Sequence, residues 1–149
     1  MVIEIFEFLG SLHPLIVHLP IGFIILTLLV SILIKTKNNS VKRIITIGWF
    51  FTFISGGIAA LFGWFLSDNN YYLESQINIH KWSGIAFVIL TFLVWILRAL
   101  NFNLNKSFNR ISNFAILILL LITGHYGGEM THGKGYLIKG LPFIKQNKI

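Results

Sequence analysis

The sequence predicts an all-α integral membrane protein, an up-down bundle of four transmembrane helices with both termini outside. Three observations carry that prediction. Hydrophobic residues make up 55% of the 149-residue chain and charged residues 11%, with a mean hydropathy of +0.77, far beyond a soluble domain of this size. Four apolar runs stand out, Pro14 to Ile34, Ile44 to Leu66, Ile79 to Leu100 and Ile111 to Thr123. The first three reach the roughly 20 residues that cross a bilayer core of about 30 Å, and the stretch Phe108 to Tyr126 lengthens the fourth to match. Short links join the runs, which forces neighbouring helices to be antiparallel. The expected helices are 12–34, 43–66, 78–101 and 108–126, in one domain covering 1–149 that ends in an outer-surface segment, 127–149. No internal repeat at a useful period is visible, and the one low-complexity piece is the Lys-Thr-Lys-Asn-Asn-Ser turn at 35–40.

Met1 to Ser11 mixes Ile3, Ile5, Phe6, Phe8 and Leu9 with Glu4 and Glu7, a composition that suits an amphipathic lead-in at the membrane interface. Those acids, and the length of the run that follows, argue for a retained helix rather than a cleaved signal peptide. Ser11 is the expected N-cap of helix 1 and Pro14 falls in its first turn. Pro20 deletes a backbone hydrogen bond and is expected to kink the helix just below His18.

Helix 2 repeats small residues at spacings of three and four: Gly48, Thr52, Gly56, Ala59 and Gly63. One reading is close helix packing. The other is that Gly56, Ala59 and Gly63, in the outer half, leave room for a flat macrocycle. Helix 3 opens at His80, with Gly84 one turn inward leaving space for a ring edge. In helix 4, Gly127-Gly128 is expected to end the helix in a tight reversal, with Gly133 and Gly135 making another around Lys134. These glycines lack the spacing and the Gly-Lys-Ser/Thr of a phosphate loop. Trp64, Trp82, Tyr71 and Tyr72 suit an outer aromatic belt, with Trp95 near the inner end of helix 3.

The formal charge of +7 reads as topology, not as nucleic-acid binding. The first link carries Lys35, Lys37, Lys42 and Arg43, and the third Arg98, Lys106 and Arg110, with no acid in either. That places both links in the cytoplasm by the positive-inside rule. Lys81, Lys134, Lys139, Lys145 and Lys148 fall outside, and so do all five acids, Glu4, Glu7, Asp68, Glu74 and Glu129. The expected location is the bacterial inner membrane, with the outer side periplasmic.

The chain has no cysteine, which removes disulfides, Cys-ligated zinc, iron–sulfur clusters and c-type haem attachment. No nucleophile constellation or paired carboxylates are visible, so a stand-alone enzyme is the least supported class. Histidine chemistry remains. His13, His18, His80, His125 and His132 all fall on the expected outer side, and ionisable groups within membrane segments mark function by default. His13 and His18 stand about 140° and about 7.5 Å apart on a regular helix, so they do not easily chelate one ion. No His pair at i,i+4 exists, and His125 and His132 share a face only if the helix continues through Gly127-Gly128. Each site must therefore be built between helices, which favours a broad ligand gripped from opposite sides. Haem b with two histidine ligands is such a ligand.

His18 is the expected first ligand, with His80 or His125 as its partner. His13 and His132, nearer the mouth, are placed to hold a second haem or to support the first, and Lys81 and Lys134 to meet propionates. Two alternatives stay open: a zinc or copper site at the outer mouth from His13, His132 and Glu129, and a non-redox interaction subunit whose histidines pair with Glu4, Glu7 or Glu129.

His-Pro-Leu-Ile-Val-His-Leu-Pro-Ile-Gly at 13–22, His-Lys-Trp-Ser-Gly-Ile at 80–85 and Thr-Gly-His-Tyr-Gly-Gly-Glu-Met-Thr-His-Gly at 123–133 resemble a bacterial four-helix membrane family filed as a domain of unknown function. Members of that family sometimes precede c-type cytochrome domains. The resemblance implies a membrane module of periplasmic electron transfer, with His13, His18, His80, His125 and His132 matching the motif histidines. Because no Cys-x-x-Cys-His is present, any c-type cytochrome partner is expected to be a separate chain. A larger membrane complex and a quinone are the other expected partners.

Overall fold

A computed structural model of the chain describes residues 2–34, 38–67, 74–102 and 104–139. Lys35, Lys37, Asp68, Tyr71, Tyr72 and the tail from 140 onward, with Lys145 and Lys148, lie outside the described residues. The described chain is helical: α1 (Val2–Ser11), α2 (His13–Ile16), α3 (His18–Leu33), α4 (Asn39–Ser67), α5 (Glu74–Ala99), α6 (Lys106–His132) and α7 (Tyr136–Lys139). Four of its stretches are long and apolar enough to cross a membrane: Ile3–Leu33, Asn39–Ser67, Ile77–Ala99 and Lys106–His132. The four-span helical fold is the one the sequence predicts.

The first span is a single path in three pieces. Its interruptions fall at Leu12 (φ −81°, ψ −11°) and Val17 (φ −60°, ψ −21°), both still right-handed, so the chain runs on without reversing. Two prolines coincide with them: neither Pro14 nor Pro20 can donate to the carbonyl four residues back. Ser11 does not cap a helix start. It closes α1, its hydroxyl donating to Phe8 O at 2.7 Å. Pro20 falls in the first turn of α3, where a missing N–H costs little, and the break sits at Val17 instead. The expected lead-in is a helix of its own, packed on α4. α1 is held along the last turns of α4, with the Phe6 and Phe65 ring centroids 4.7 Å apart and Gly10 against the backbone of Phe65 and Leu66.

Gly127-Gly128 does not end helix 4. α6 runs through both glycines to His132 and stops at Gly133, whose φ of +86° is cheap for glycine alone. Packing overrides the weak helix propensity there, since Gly127 faces the His80 ring and Gly128 faces Tyr136. At the other end of α6, the Asn105 side chain accepts from Phe108 N at 2.7 Å, an N-cap bond.

α3 packs on α4, α4 on α5, and α5 on α6, while α1 and α2 also lie against α4. One apolar core joins the four spans through Ile24, Leu28, Trp49, Phe87, Val94 and Ile116. Apart from Glu129, the buried polar residues are small. Thr27, Thr52, Ser55, Ser83 and Thr91 each turn their hydroxyl back onto a carbonyl of their own helix, as Thr52 does to Gly48 O at 2.9 Å. Small residues with satisfied hydroxyls let helices approach closely without a polar group facing lipid. The glycine stripe of α4 serves the same end: Gly48 faces Thr27, and a Cβ on Gly56 would stand 3.4 Å from Phe87 and Val88. The space beside Gly56 is thus filled by α5, and the macrocycle slot expected at that residue is not there.

Candidate functional site

His13 and His80 face one another, ring centroids 6.0 Å apart and planes at 88°. His13 stands in α2 and sends Nδ1 to Ala59 O of α4, 2.8 Å away. His80 stands in α5 and sends Nδ1 to Thr123 O of α6, also at 2.8 Å. A carbonyl can only accept, so both Nδ1 atoms carry the proton, and the neutral ring keeps a lone pair on Nε2.

A glycine makes each of these bonds possible. In a helix the side chain at i+4 leans back over the carbonyl at i, and the residues four after Ala59 and Thr123 are Gly63 and Gly127. With no Cβ on either, an imidazole can reach the carbonyl. The His13 ring lies where a Gly63 Cβ would come within 2.9 Å of its Cε1, and the His80 ring where a Gly127 Cβ would come within 3.0 Å. Ser83 and Thr123 tie α5 to α6 beside the second histidine, with hydroxyls 2.8 Å apart, and Gly84 lies against the Thr123 methyl group.

These two arrangements are repeats of one pattern. Ala59 and Thr123 are 64 residues apart, and so are Gly63 and Gly127. At the same offset Ile25–Leu33 reads Ile-Leu-Thr-Leu-Leu-Val-Ser-Ile-Leu and Ile89–Leu97 reads Ile-Leu-Thr-Phe-Leu-Val-Trp-Ile-Leu, identical at seven of nine positions. Thr27 and Thr91, equivalent in this register, are both buried. The histidines are 67 apart, and the three extra residues fall in the first repeat between His13 and Thr27, in the stretch interrupted at Val17. The chain is therefore two helix hairpins, each a histidine helix followed by a glycine helix. This corrects the expectation of no internal repeat. The clue lay in the sequence, but at a period longer than that of common repeat arrays, and strongly alike only in the histidine helices.

The other expected site residues lie elsewhere. His18 is exposed, its Nδ1 3.2 Å from Leu15 O of the preceding turn, so the ring that meets His80 is that of His13. His125 Nε2 is 3.8 Å from Glu129 Oε1, and the His132 ring stands 5.2 Å from Tyr136. Because α6 is unbroken, His125, Glu129 and His132 share one face, about half a turn away from Gly127. Glu129 is buried and accepts from Gly135 N at 2.8 Å, which folds α7 back on α6. Among the described residues no three His, Asp or Glu side chains gather as a metal site, so the zinc or copper site of His13, His132 and Glu129 is not assembled. Lys81 Nζ lies 3.5 Å over the Trp64 ring, linking α5 to α4, and Lys134 is exposed in the turn before α7.

A family model described as a predicted membrane protein (DUF2231) matches residues 10–139. The chain belongs to this family. No curated protein and no solved structure matches it. The DUF2231 match begins at Gly10, on which α1 rests against α4, and ends at Lys139, the last residue of α7. It takes in both histidine–glycine hairpins.

Proposed function

We propose that this DUF2231 chain is a haem-b membrane subunit in which His13 and His80 ligate the iron. The observation that carries the reading is the pair itself. One imidazole comes from each hairpin, with ring centroids 6.0 Å apart, and these are the two residues that would hold the iron. Both rings have Nδ1 committed to a carbonyl, the outer bond that fixes a ligating histidine in orientation and raises its basicity. Gly63 and Gly127 keep the wall beside each ring bare, and each hairpin supplies one ligand, so the site needs both halves. When bound, the haem would supply one-electron redox chemistry, and the chain's part would be to hold two imidazoles already oriented by their Nδ1–carbonyl bonds.

The charge asymmetry of the links supports placing this end of the bundle, and both termini, on the periplasmic side of a bacterial inner membrane. Electrons would then pass between a quinone or a larger membrane complex and a separate c-type cytochrome. Because the chain has no cysteine, single cysteines report orientation cleanly. Lys134→Cys is expected to react with a membrane-impermeant maleimide on intact spheroplasts, and Asn101→Cys only after lysis. The reverse pattern inverts the topology.

An absorbance spectrum tests the haem directly. The protein purified after haem-replete expression is expected to show a Soret band and, on reduction, a sharp α band of six-coordinate haem. A colourless protein refutes it, and stoichiometric zinc or copper in that colourless protein would assign the histidine pair to an ion instead.

A further inference from the structure

The opposite end of the bundle carries a second feature. The first turns of α4 bring Lys42 and Arg43, the last turn of α5 brings Arg98, and the chain then bends through Asn101, whose φ is +56°, before α6 presents Asn109. Together with Phe102 they line an open cleft of about 690 Å³. Arg98 is set in place: its guanidinium donates to Asn109 Oδ1 at 2.5 Å, and Asn109 is itself fixed by donating to Leu104 O and Asn105 O at 3.2 and 3.1 Å. Arg98 Nε is buried with no hydrogen-bond partner.

Among the described residues no acid lines the cleft. Glu4 and Glu7 lie in α1, Glu74 opens α5, Glu129 is near the end of α6, and Asp68 follows α4 in sequence. The four that the structure describes, Glu4, Glu7, Glu74 and Glu129, belong to the other end of the bundle. A half-buried guanidinium flanked by two more cations calls for an anion, and none of the described acids stands at this end to supply it. Arg98 also stands one residue before the end of the span Ile77–Ala99, at the level where a bilayer places its phosphates. A guanidinium fork suits a phosphate, and Phe102, exposed on the rim, suits the glycerol and upper acyl region beside it.

We propose that this cleft binds the phosphate headgroup of an anionic phospholipid, with Arg98 seating the phosphate and Lys42 and Arg43 closing around it. The site is independent of whatever the histidine end carries.

Native mass spectrometry of the full chain in mild detergent, with phosphatidylglycerol or phosphatidylcholine added, tests it. Wild-type protein is expected to retain phosphatidylglycerol over phosphatidylcholine by about tenfold. Lys42→Gln/Arg43→Gln, a change at two exposed side chains, is expected to cut that retention by about tenfold. Lys134→Gln/Lys139→Gln, which removes two cations at the other end, is expected to leave it unchanged. Equal retention of the two lipids, or equal loss in both double variants, overturns the proposal. Inorganic phosphate at millimolar concentration separates the sources. If it displaces phosphatidylglycerol and raises the Tm of the wild type but not of Lys42→Gln/Arg43→Gln, the ligand is a soluble phosphate and the lipid site is wrong. No displacement upholds the lipid.

Discussion

If His13 and His80 hold a haem, His13→Ala is expected to lower the haem content of the purified protein to below about a tenth of wild type and His80→Ala to do the same, while His18→Ala is expected to keep its haem. The magnitude follows from the role: losing even an outer-shell partner of a metal ligand costs about 10- to 100-fold in affinity, and losing the ligand itself costs at least as much. The contrast is what gives the experiment its force. His13 and His18 are five residues apart in the same span, and His18 is exposed, its Nδ1 3.2 Å from Leu15 O of the turn before it. Pyridine haemochrome content per mole of protein measures the effect, and the helical circular dichroism of each variant shows that it has folded. Exogenous imidazole is expected to restore a low-spin spectrum to His13→Ala or His80→Ala by filling the space left by the ring. Haem loss in His18→Ala equal to that in His13→Ala would dissolve the assignment.

How far the site was legible in the sequence differs from residue to residue. Four spans could be read because a bilayer demands about 20 apolar residues for each, and little competes with that demand. That His13 and His18 do not easily serve one ion also followed from helix geometry alone. Which of the two faces inward did not, because both stand beside breaks at Leu12 and Val17, where a small change of helix phase swaps the faces. The continuation of α6 through Gly127-Gly128 was hidden for a different reason: local propensity favours a stop, and only the packing of His80 and Tyr136 onto those glycines decides against it. Gly63 was picked out as part of a bare helix face, and its use lies in the carbonyl of Ala59 that it uncovers. Gly56, on the same stripe, is spent on close packing with Phe87 and Val88.

Gly63→Ala and Gly127→Ala are expected to weaken haem binding by about 10- to 100-fold, the range for disturbing the outer partner of a ligating histidine. The added methyl group would stand 2.9 Å from His13 Cε1 in one case and 3.0 Å from His80 Cε1 in the other, tighter than ordinary carbon contacts, so each ring must shift and its Nδ1 bond is strained. The two losses differ in size. His13 belongs to α2, four residues between two breaks in the helix, and that short segment can give. His80 is part of α5, continuous over 26 residues and tied to α6 by the Ser83–Thr123 bond beside it, so its ring has less freedom to retreat. Gly127→Ala is therefore the more damaging of the pair. Gly57→Ala and Gly124→Ala, next to each site but with open space where the methyl group goes, are expected to change haem affinity by less than about twofold. Titration of haem into the apoprotein, followed at the Soret band, reads all four. If the Gly57 and Gly124 variants lose affinity as much as the Gly63 and Gly127 variants do, the glycines act on helix stability in general and not on the histidine bonds.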